Sequence, residues 1–246
     1  MTRKSATLIQ IVPNIVTCVG LTCGLTAIFL SLKGRYDLAA WLVLLCVLLD
    51  KLDGTAARLL NAGSELGMQL DSLSDFVTFV VAPAVLFVAV LTDESAAYAG
   101  MPDALLAYGS ATVYVIAGAA RLARFNCVEQ DGEGLTRFFV GIPTTLGGAT
   151  CGTLFLVFHK YEVVERFAWV LPPLLLLLGL SMVSRYYLPK MGRRRSRAVS
   201  IFQVVNLVVV PVLVLTRLYP EYLLFLVVLY LTVGLTFANR KGVDIS

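Results

Sequence analysis

The chain has 246 residues, of which 58% are hydrophobic and only 15% are charged, and its mean hydropathy is +0.83. A soluble domain is nearer to about 45–50% apolar and about 25% charged, so this composition excludes an ordinary soluble protein and indicates an integral membrane protein. Because no polar block or low-complexity linker is long enough for a second domain, residues 1–246 are predicted to form a single membrane domain.

Eight stretches are apolar over about the 20 residues that a transmembrane helix needs. They predict an all-α polytopic bundle with spans at residues 14–33, 38–60, 70–92, 104–125, 141–158, 167–185, 199–216 and 221–238. Before the first span, Leu8, Ile11 and Val12 share one helical face, which predicts an N-terminal interfacial helix. Most Lys and Arg residues fall on one side of the membrane if both termini are cytoplasmic, which favours an even number of spans with both termini inside. We expect a multi-pass protein of the plasma or inner membrane.

Small residues and the few cysteines and histidines restrict the kinds of site. The pairs Gly20-x₃-Gly24 and Gly148-x₃-Gly152 predict close helix packing, because glycine lets two helix backbones approach each other. The 5 cysteines are odd in number and form no CxxC pair, so neither disulfides nor a zinc site is indicated. His159 is the only histidine, which excludes a site built from several histidines.

Four aspartates lie within otherwise apolar sequence in the second and third predicted spans. Asp50 and Asp53 share a helix face, and Asp71 and Asp75 share a face of the next helix. A charged side chain at membrane depth costs roughly 2.5–3.5 kcal/mol, so four of them require compensation by cations. Two divalent ions, Mg²⁺ or Mn²⁺, would provide it because they prefer carboxylate and water ligands. With both termini inside, the aspartates lie toward the cytoplasmic ends of their helices.

Two small residues and an arginine accompany the first acidic pair. Gly54 and Ala57 remove side-chain bulk from its helix face, which lets a bulky anionic ligand approach the backbone. Arg58 adds a planar guanidinium that suits phosphate. Aspartates near helix ends are often only solvated residues or helix caps, but the joint spacing favours a metal-bearing active site.

The spacing D-x₂-D-G-x₂-A-R-x₈-G-x₃-D-x₃-D resembles the signature of the CDP-alcohol phosphotransferase family, and every position is present from Asp50 to Asp75. Members of this family transfer a phosphate-linked group from a CDP-alcohol to a second alcohol, releasing CMP, in a helical membrane bundle that is usually a homodimer. The resemblance implies that two divalent cations bind to Asp50, Asp53, Asp71 and Asp75, and that Asp75 is also the general base. It implies a CDP-lipid site at Asn14, Gly54, Ala57, Arg58 and Gly67.

Shorter matches resemble the phosphatidylserine-forming branch of this family. They are Pro13-Asn14, Asp71-Ser-Leu-Ser-Asp75-Phe-Val, Ala82-Pro83-Ala84, Ala120-Arg121-Leu-Ala-Arg124-Phe-Asn126, Gly141-Ile-Pro143-Thr144 and Ser184-Arg185. This resemblance implies CDP-diacylglycerol and L-serine as substrates, with two-metal-assisted in-line attack of the serine hydroxyl on phosphorus. The carboxylate of serine calls for a guanidinium at membrane depth, so Arg121, Arg124 and Asn126 are the predicted acceptor site.

Two alternatives stay open at the level of sequence. Glycerol phosphate or inositol phosphate as acceptor would also need cationic residues, and arginines at a cytoplasmic helix end also follow from the positive-inside rule. A membrane ion transporter is the alternative from another class, because acids inside a membrane also mark ion pathways. A transporter would have acids throughout the membrane depth, whereas these cluster toward one side, which favours an enzyme.

Overall fold

The computed structural model describes residues 3–59, 64–98, 100, 103–130, 138–184, 187–189 and 197–240. Its helices are α1 (Arg3–Ser31), α2 (Tyr36–Leu59), α3 (Glu65–Asp75), α4 (Ala82–Glu94), α5 (Asp103–Gln130), α6 (Thr144–Lys160), α7 (Val164–Phe167), α8 (Leu171–Val183), α9 (Arg197–Thr216) and α10 (Pro220–Arg240). A π-helical turn, Phe76–Val81, joins α3 to α4, and 3₁₀ turns cover Ala96–Tyr98 and Ala168–Val170. The short strands β1 (Phe138–Val140) and β2 (Tyr187–Pro189) pair antiparallel, with Phe139 opposite Leu188.

Helices lie over every predicted span, and the protein is a helical membrane protein. Four helical stretches in the described part of the chain are long and apolar enough to cross a membrane: Pro13–Ser31, Glu65–Glu94, Asp103–Cys127 and Val164–Val183. Helix α2 is also long, but Asp50, Lys51 and Asp53 make its C-terminal half more polar. The described apolar parts of α9 and α10 are shorter. That the chain crosses the membrane at all eight predicted spans stays a prediction.

The predicted N-terminal interfacial helix is not a separate element of the structure. The backbone of α1 is helical from Arg3 to Ser31, and Pro13 lies inside this helix. Proline removes one intrahelical donor, but it does not end the helix here. Residues 3–12 therefore continue the helix of the first predicted span, and their position at the membrane surface stays a prediction.

The core of the bundle lies between its central helices. Helix α1 packs along α2, α2 packs along α6, and α5 packs along α8. The largest fully buried side chains include Tyr114, Phe79, Phe87 and Phe155. Within lipid, helices gain stability from close packing and hydrogen bonds rather than from the removal of apolar groups from water.

Two of the glycines predicted to bring helices together lie against the π-helical turn. A Cβ atom on Gly24 of α1 would collide with Thr78, and one on Gly148 of α6 would lie 3.0 Å from the Cα atom of Phe79. Gly118 of α5 makes the same kind of close contact with Val80. Glycines on three helices thus leave room for this wider turn. The predicted close packing is confirmed at Gly24 and at Gly148.

Pro83 and Tyr114 explain how the backbone of the π-helical turn is satisfied. In an α-helix, the N–H group of residue 83 would bond to the carbonyl of Phe79, but proline has no N–H group. The hydroxyl of Tyr114 donates to this carbonyl instead, at 2.8 Å. The N–H group of Ala82 bonds to the carbonyl of Val77, five residues earlier. Because the turn follows directly after Asp75, it sets the rotation of α3 relative to α4.

Candidate active site

The four predicted metal ligands meet at one small cavity, which we call the acidic cavity. Its walls are Gly20, Cys46, Asp50, Asp53, Asp71, Ser74, Asp75, Thr78 and Phe79. Carboxylate oxygens of Asp50, Asp53 and Asp71 all lie within 4.8 Å of one another, and Asp75 lines the same cavity. The carboxylate groups of the two acidic pairs therefore meet at this cavity.

Local structure explains this arrangement. In α2, Asp50 and Asp53 are separated by one helical turn, and so are Asp71 and Asp75 in α3, so each pair projects from one side of its helix. Helix α3 begins after Ser64, whose side chain accepts a hydrogen bond from the N–H group of Gly67 at 3.0 Å. This cap defines the start of the helix that carries the second acidic pair.

Helix α1 contributes polar groups that the sequence analysis did not identify. The hydroxyl of Thr17 donates to Oδ2 of Asp53 at 3.0 Å and lies at the same distance from the carbonyl of Pro13. The hydroxyl of Ser74 donates to the carbonyl of Thr17 at 3.3 Å. These bonds connect α1 with α2 and α3 and orient Asp53, which is only 6% exposed. The sequence shows that Thr17 lies one turn after Pro13, but not which helix it faces.

The electrostatics of the acidic cavity favour a bound cation. Asp75 experiences charge repulsion from Asp50, Asp71 and Asp53, and attraction from Arg121 of α5. Arg121, together with Lys51, whose charge attracts Asp50, supplies two positive charges, which do not compensate four carboxylates in so small a volume. The ligand atoms are carboxylate oxygens, which is the donor set that Mg²⁺ and Mn²⁺ prefer. The residues present therefore fit divalent cations, and their role as ligands stays a prediction.

The predicted CDP-lipid residues are only partly described. Asn14 and Gly67 are close in space, since a Cβ atom on Gly67 would lie 2.9 Å from Oδ1 of Asn14. A Cβ atom on Gly54 would meet none of the described residues within 4 Å, so among these residues the backbone of α2 is open to a ligand at this position. The side chains of Ala57 and Arg58 lie outside the described residues, although both belong to α2.

The three predicted acceptor residues on α5 have different environments. Arg121 is 7% exposed, acts on Asp75 through its charge and donates from Nη1 to the hydroxyl of Thr144 at 3.4 Å. Its Nε atom has no partner among the residues that the structure describes. Of the three, Arg121 is the residue that the structure places beside the acidic cavity.

Arg124 and Asn126 bind to neighbouring helices, and these partners were not predicted. Arg124 donates to the carbonyls of Met182 and Val183, at 3.2 and 3.3 Å, where a cation is favourable because these carbonyls end α8. The amide of Asn126 accepts a hydrogen bond from Ser72 at 2.9 Å and donates to Gln69 at 3.4 Å. These bonds attach α5 to α8 and to α3.

Comparison with known proteins extends over most of the chain. Residues 10–183 match the family described as CDP-alcohol phosphatidyltransferase. A CDP-diacylglycerol–serine O-phosphatidyltransferase of Helicobacter pylori (strain ATCC 700392 / 26695) is 32% identical over 178 residues, which are 72% of this chain and 71% of that protein. A protein of the same name from Methanocaldococcus jannaschii is 31% identical over 179 residues, 73% of this chain and 74% of that protein.

A third similar protein, the CDP-diacylglycerol–serine O-phosphatidyltransferase of Bacillus subtilis (strain 168), is 32% identical over 168 residues, 61% of this chain and 88% of that protein. The region that matches the family contains the four aspartates, the π-helical turn and the arginines of α5. The acidic cavity is thus built entirely from the matched part of the chain. The chain belongs to the CDP-alcohol phosphatidyltransferase family.

Proposed function

We propose that this protein transfers the phosphatidyl group of CDP-diacylglycerol to the hydroxyl of L-serine, giving phosphatidylserine and CMP. The observation that carries this proposal is the convergence of the aspartates in one cavity within the region that matches the family. The choice of serine is supported by the names of the similar proteins from Helicobacter pylori, Bacillus subtilis and Methanocaldococcus jannaschii.

Asp50, Asp53, Asp71 and Asp75 hold two divalent cations, Mg²⁺ or Mn²⁺, in this proposal. Such ions, when bound, neutralise the diphosphate of the donor and polarise its phosphorus. The arrangement of two acidic pairs across a small cavity supports this role, because each ion can take ligands from both helices. The hydrogen bond from Thr17 holds Asp53 in place for this purpose.

Asp75 is the general base of the proposed reaction. Its carboxylate removes the proton from the serine hydroxyl, and the resulting oxygen attacks the β-phosphorus in line. The bond between this phosphorus and the CMP oxygen breaks, so that CMP leaves with the electron pair. The charges of the neighbouring carboxylates and of Arg121, which act on Asp75, support its role as the base.

The two substrates approach from different helices in this proposal. The nucleotide of the donor lies against the open backbone at Gly54, with Asn14, Ala57, Arg58 and Gly67 around it. The acceptor is bound by α5, through Arg121, Arg124 and Asn126. Arg121 has a donor atom without a protein partner among the described residues, which supports its use for the serine carboxylate.

We infer a plasma or inner membrane protein with eight spans, a surface-bound N-terminal segment and a cytoplasmic acidic cavity. The distribution of Lys and Arg supports this orientation, and the cluster Arg193-Arg194-Arg195 belongs to a predicted cytoplasmic segment. Membership of the family supports a homodimer.

The test is to give the purified protein CDP-diacylglycerol with Mg²⁺ or Mn²⁺ and one acceptor at a time, and to measure CMP. We expect metal-dependent CMP release with serine. Release only with glycerol phosphate or inositol phosphate would change the acceptor but keep the reaction class. If no acceptor supports CMP release with either metal, the proposed enzyme activity is wrong. An ion transporter would give this result, because it would release no CMP.

A further inference from the structure

Thr78 lies in the wall of the acidic cavity and has no role in the proposed reaction. It belongs to the π-helical turn, close after Asp75, and it is only 1% exposed. Its hydroxyl has no hydrogen-bond partner in the described part of the chain. A buried hydroxyl without a partner destabilises the folded state, so this group calls for a ligand that the protein itself does not supply.

Other threonines in this bundle use their hydroxyls within their own helix. Thr22, Thr92 and Thr153 each donate to the carbonyl four residues earlier, at 2.8, 3.0 and 2.7 Å. The corresponding acceptor for Thr78 is the carbonyl of Ser74, and this bond is not made. The π-helical turn explains the exception, because its wider backbone changes the position of a side chain relative to the preceding turn.

The surrounding helices hold Thr78 in this unusual position. Gly24 of α1 faces the Thr78 hydroxyl so closely that a Cβ atom would collide with it. Tyr114 of α5 binds the carbonyl of the next residue, Phe79. The position of Thr78 in the wall of the acidic cavity is therefore a consequence of packing between α1, α5 and the π-helical turn.

The size of the acidic cavity limits what the hydroxyl can bind. The space available to the centre of a water molecule is about 10 Å³, which is close to the minimum for a single water. A water molecule fits, and Mg²⁺ or Mn²⁺ bound to carboxylates retains water among its ligands.

We propose that the Thr78 hydroxyl hydrogen-bonds to a water molecule that is itself a ligand of the divalent cation in the acidic cavity. The inference rests on the proposed function, because it takes the aspartates as cation ligands. Water polarised by a cation donates a hydrogen bond, and the Thr78 oxygen accepts it. Thr78 is then a positioning residue, since it acts on the cation through this water and does not touch either substrate.

The test compares Thr78→Val, which keeps the shape but lacks the hydroxyl, with Thr78→Ser, which keeps the hydroxyl. The affinity of the purified full-length protein for Mn²⁺ is measured by titration, and the unfolding temperature is measured in EDTA. We expect Thr78→Val to bind Mn²⁺ about 10-fold more weakly, as for the loss of other groups that orient metal ligands. Its unfolding temperature in EDTA should be equal or higher, because a methyl replaces an unsatisfied hydroxyl. Thr78→Ser should retain the wild-type affinity.

Thr153→Val is the matched control. Thr153 is also 1% exposed and helical, but its hydroxyl already donates to the carbonyl of Ala149. This variant should unfold at a lower temperature in EDTA and bind Mn²⁺ like the wild type. The proposal is wrong if Thr78→Val binds Mn²⁺ normally, if it loses stability in EDTA as Thr153→Val does, or if Thr78→Ser binds as weakly as Thr78→Val.

Failure of this inference is distinguishable from failure of the proposed function. Wild-type protein that forms phosphatidylserine while Thr78→Val binds Mn²⁺ normally would overturn only the role of Thr78. Wild-type protein that binds Mn²⁺ in a Thr78-dependent manner without forming a product would overturn only the proposed reaction. Wild-type protein that binds no Mn²⁺ would overturn both.

Discussion

Two clusters of polar side chains differ in their charge balance: one pairs opposite charges, and the other brings like charges together. At the end of α6, Nζ of Lys160 lies 2.5 Å from Oε1 of Glu221, and the hydroxyl of Tyr161 donates to the same oxygen at 2.9 Å. In the acidic cavity, like charges face one another, with Arg121 beside them. Helix α6 begins at the Thr144 partner of Arg121 and ends at Lys160, about 24 Å away at 1.5 Å per residue, so the clusters lie at opposite ends of this helix.

The difference shows which cluster depends on something outside the chain. The pair of Lys160 and Glu221 is half exposed and electrically balanced within the chain, so it contributes little to stability. The acidic cavity concentrates like charges in a buried volume, which destabilises the protein unless a cation is bound. Four predictions test this difference, in order of decreasing effect.

Substitution of the proposed base should have the largest effect. Asp75→Asn keeps the shape of the side chain but cannot accept the proton of serine, so CMP release should fall by about 10²–10⁴-fold or more. Binding of CDP-diacylglycerol should remain largely intact, which equilibrium binding can measure. Full activity of this variant would remove Asp75 as the base.

Removal of divalent cations should affect both activity and stability. EDTA should abolish CMP release and lower the unfolding temperature, because the carboxylates then repel one another without compensation. At a cation concentration of 100 times the dissociation constant, the stabilisation lost would be about 2.7 kcal/mol. In EDTA, Glu221→Gln should lose as much stabilisation as the wild type, whereas Asp53→Asn, which lacks one of the proposed ligands, should lose less. An unfolding temperature that does not respond to EDTA or Mn²⁺ would contradict the claim that the acidic cavity depends on a bound cation.

Loss of the hydrogen bond to Asp53 should have an intermediate effect. Thr17→Val removes the donor that orients this carboxylate, so Mn²⁺ affinity should fall by about 10-fold. Thr22→Val, on the same helix, is the control because its hydroxyl bonds only to the carbonyl of Cys18 among the described residues. Titration with Mn²⁺ distinguishes the two, and equal affinities in both variants would mean that Thr17 has no role at the site.

Disruption of the balanced cluster should have the smallest effect. Glu221→Gln removes the ion pair with Lys160 but leaves the acidic cavity unchanged, so CMP release should stay at the wild-type level. The unfolding temperature should fall slightly at low salt, and this difference should become smaller at 1 M salt, where the screening length is only about 3 Å. A marked loss of activity would show that the two ends of α6 are coupled.

The sequence alone determined the membrane class, the helical architecture and the acidic pairs. Asp50 with Asp53, and Asp71 with Asp75, share helix faces because of local helical geometry, which depends only on their spacing. The apolar stretches likewise predicted where helices lie, since lipid requires backbone hydrogen bonds within each segment.

Only the tertiary structure decided how the helices complete the site. The hydrogen bond from Thr17 to Asp53, the attachment of Arg124 to α8 and the bond of Tyr114 to Phe79 all join segments distant in the sequence. Pro83 indicates that a carbonyl lacks its usual partner, but not that Tyr114 supplies one. Such contacts depend on the rotation and separation of packed helices, which residue spacing within a single helix does not determine.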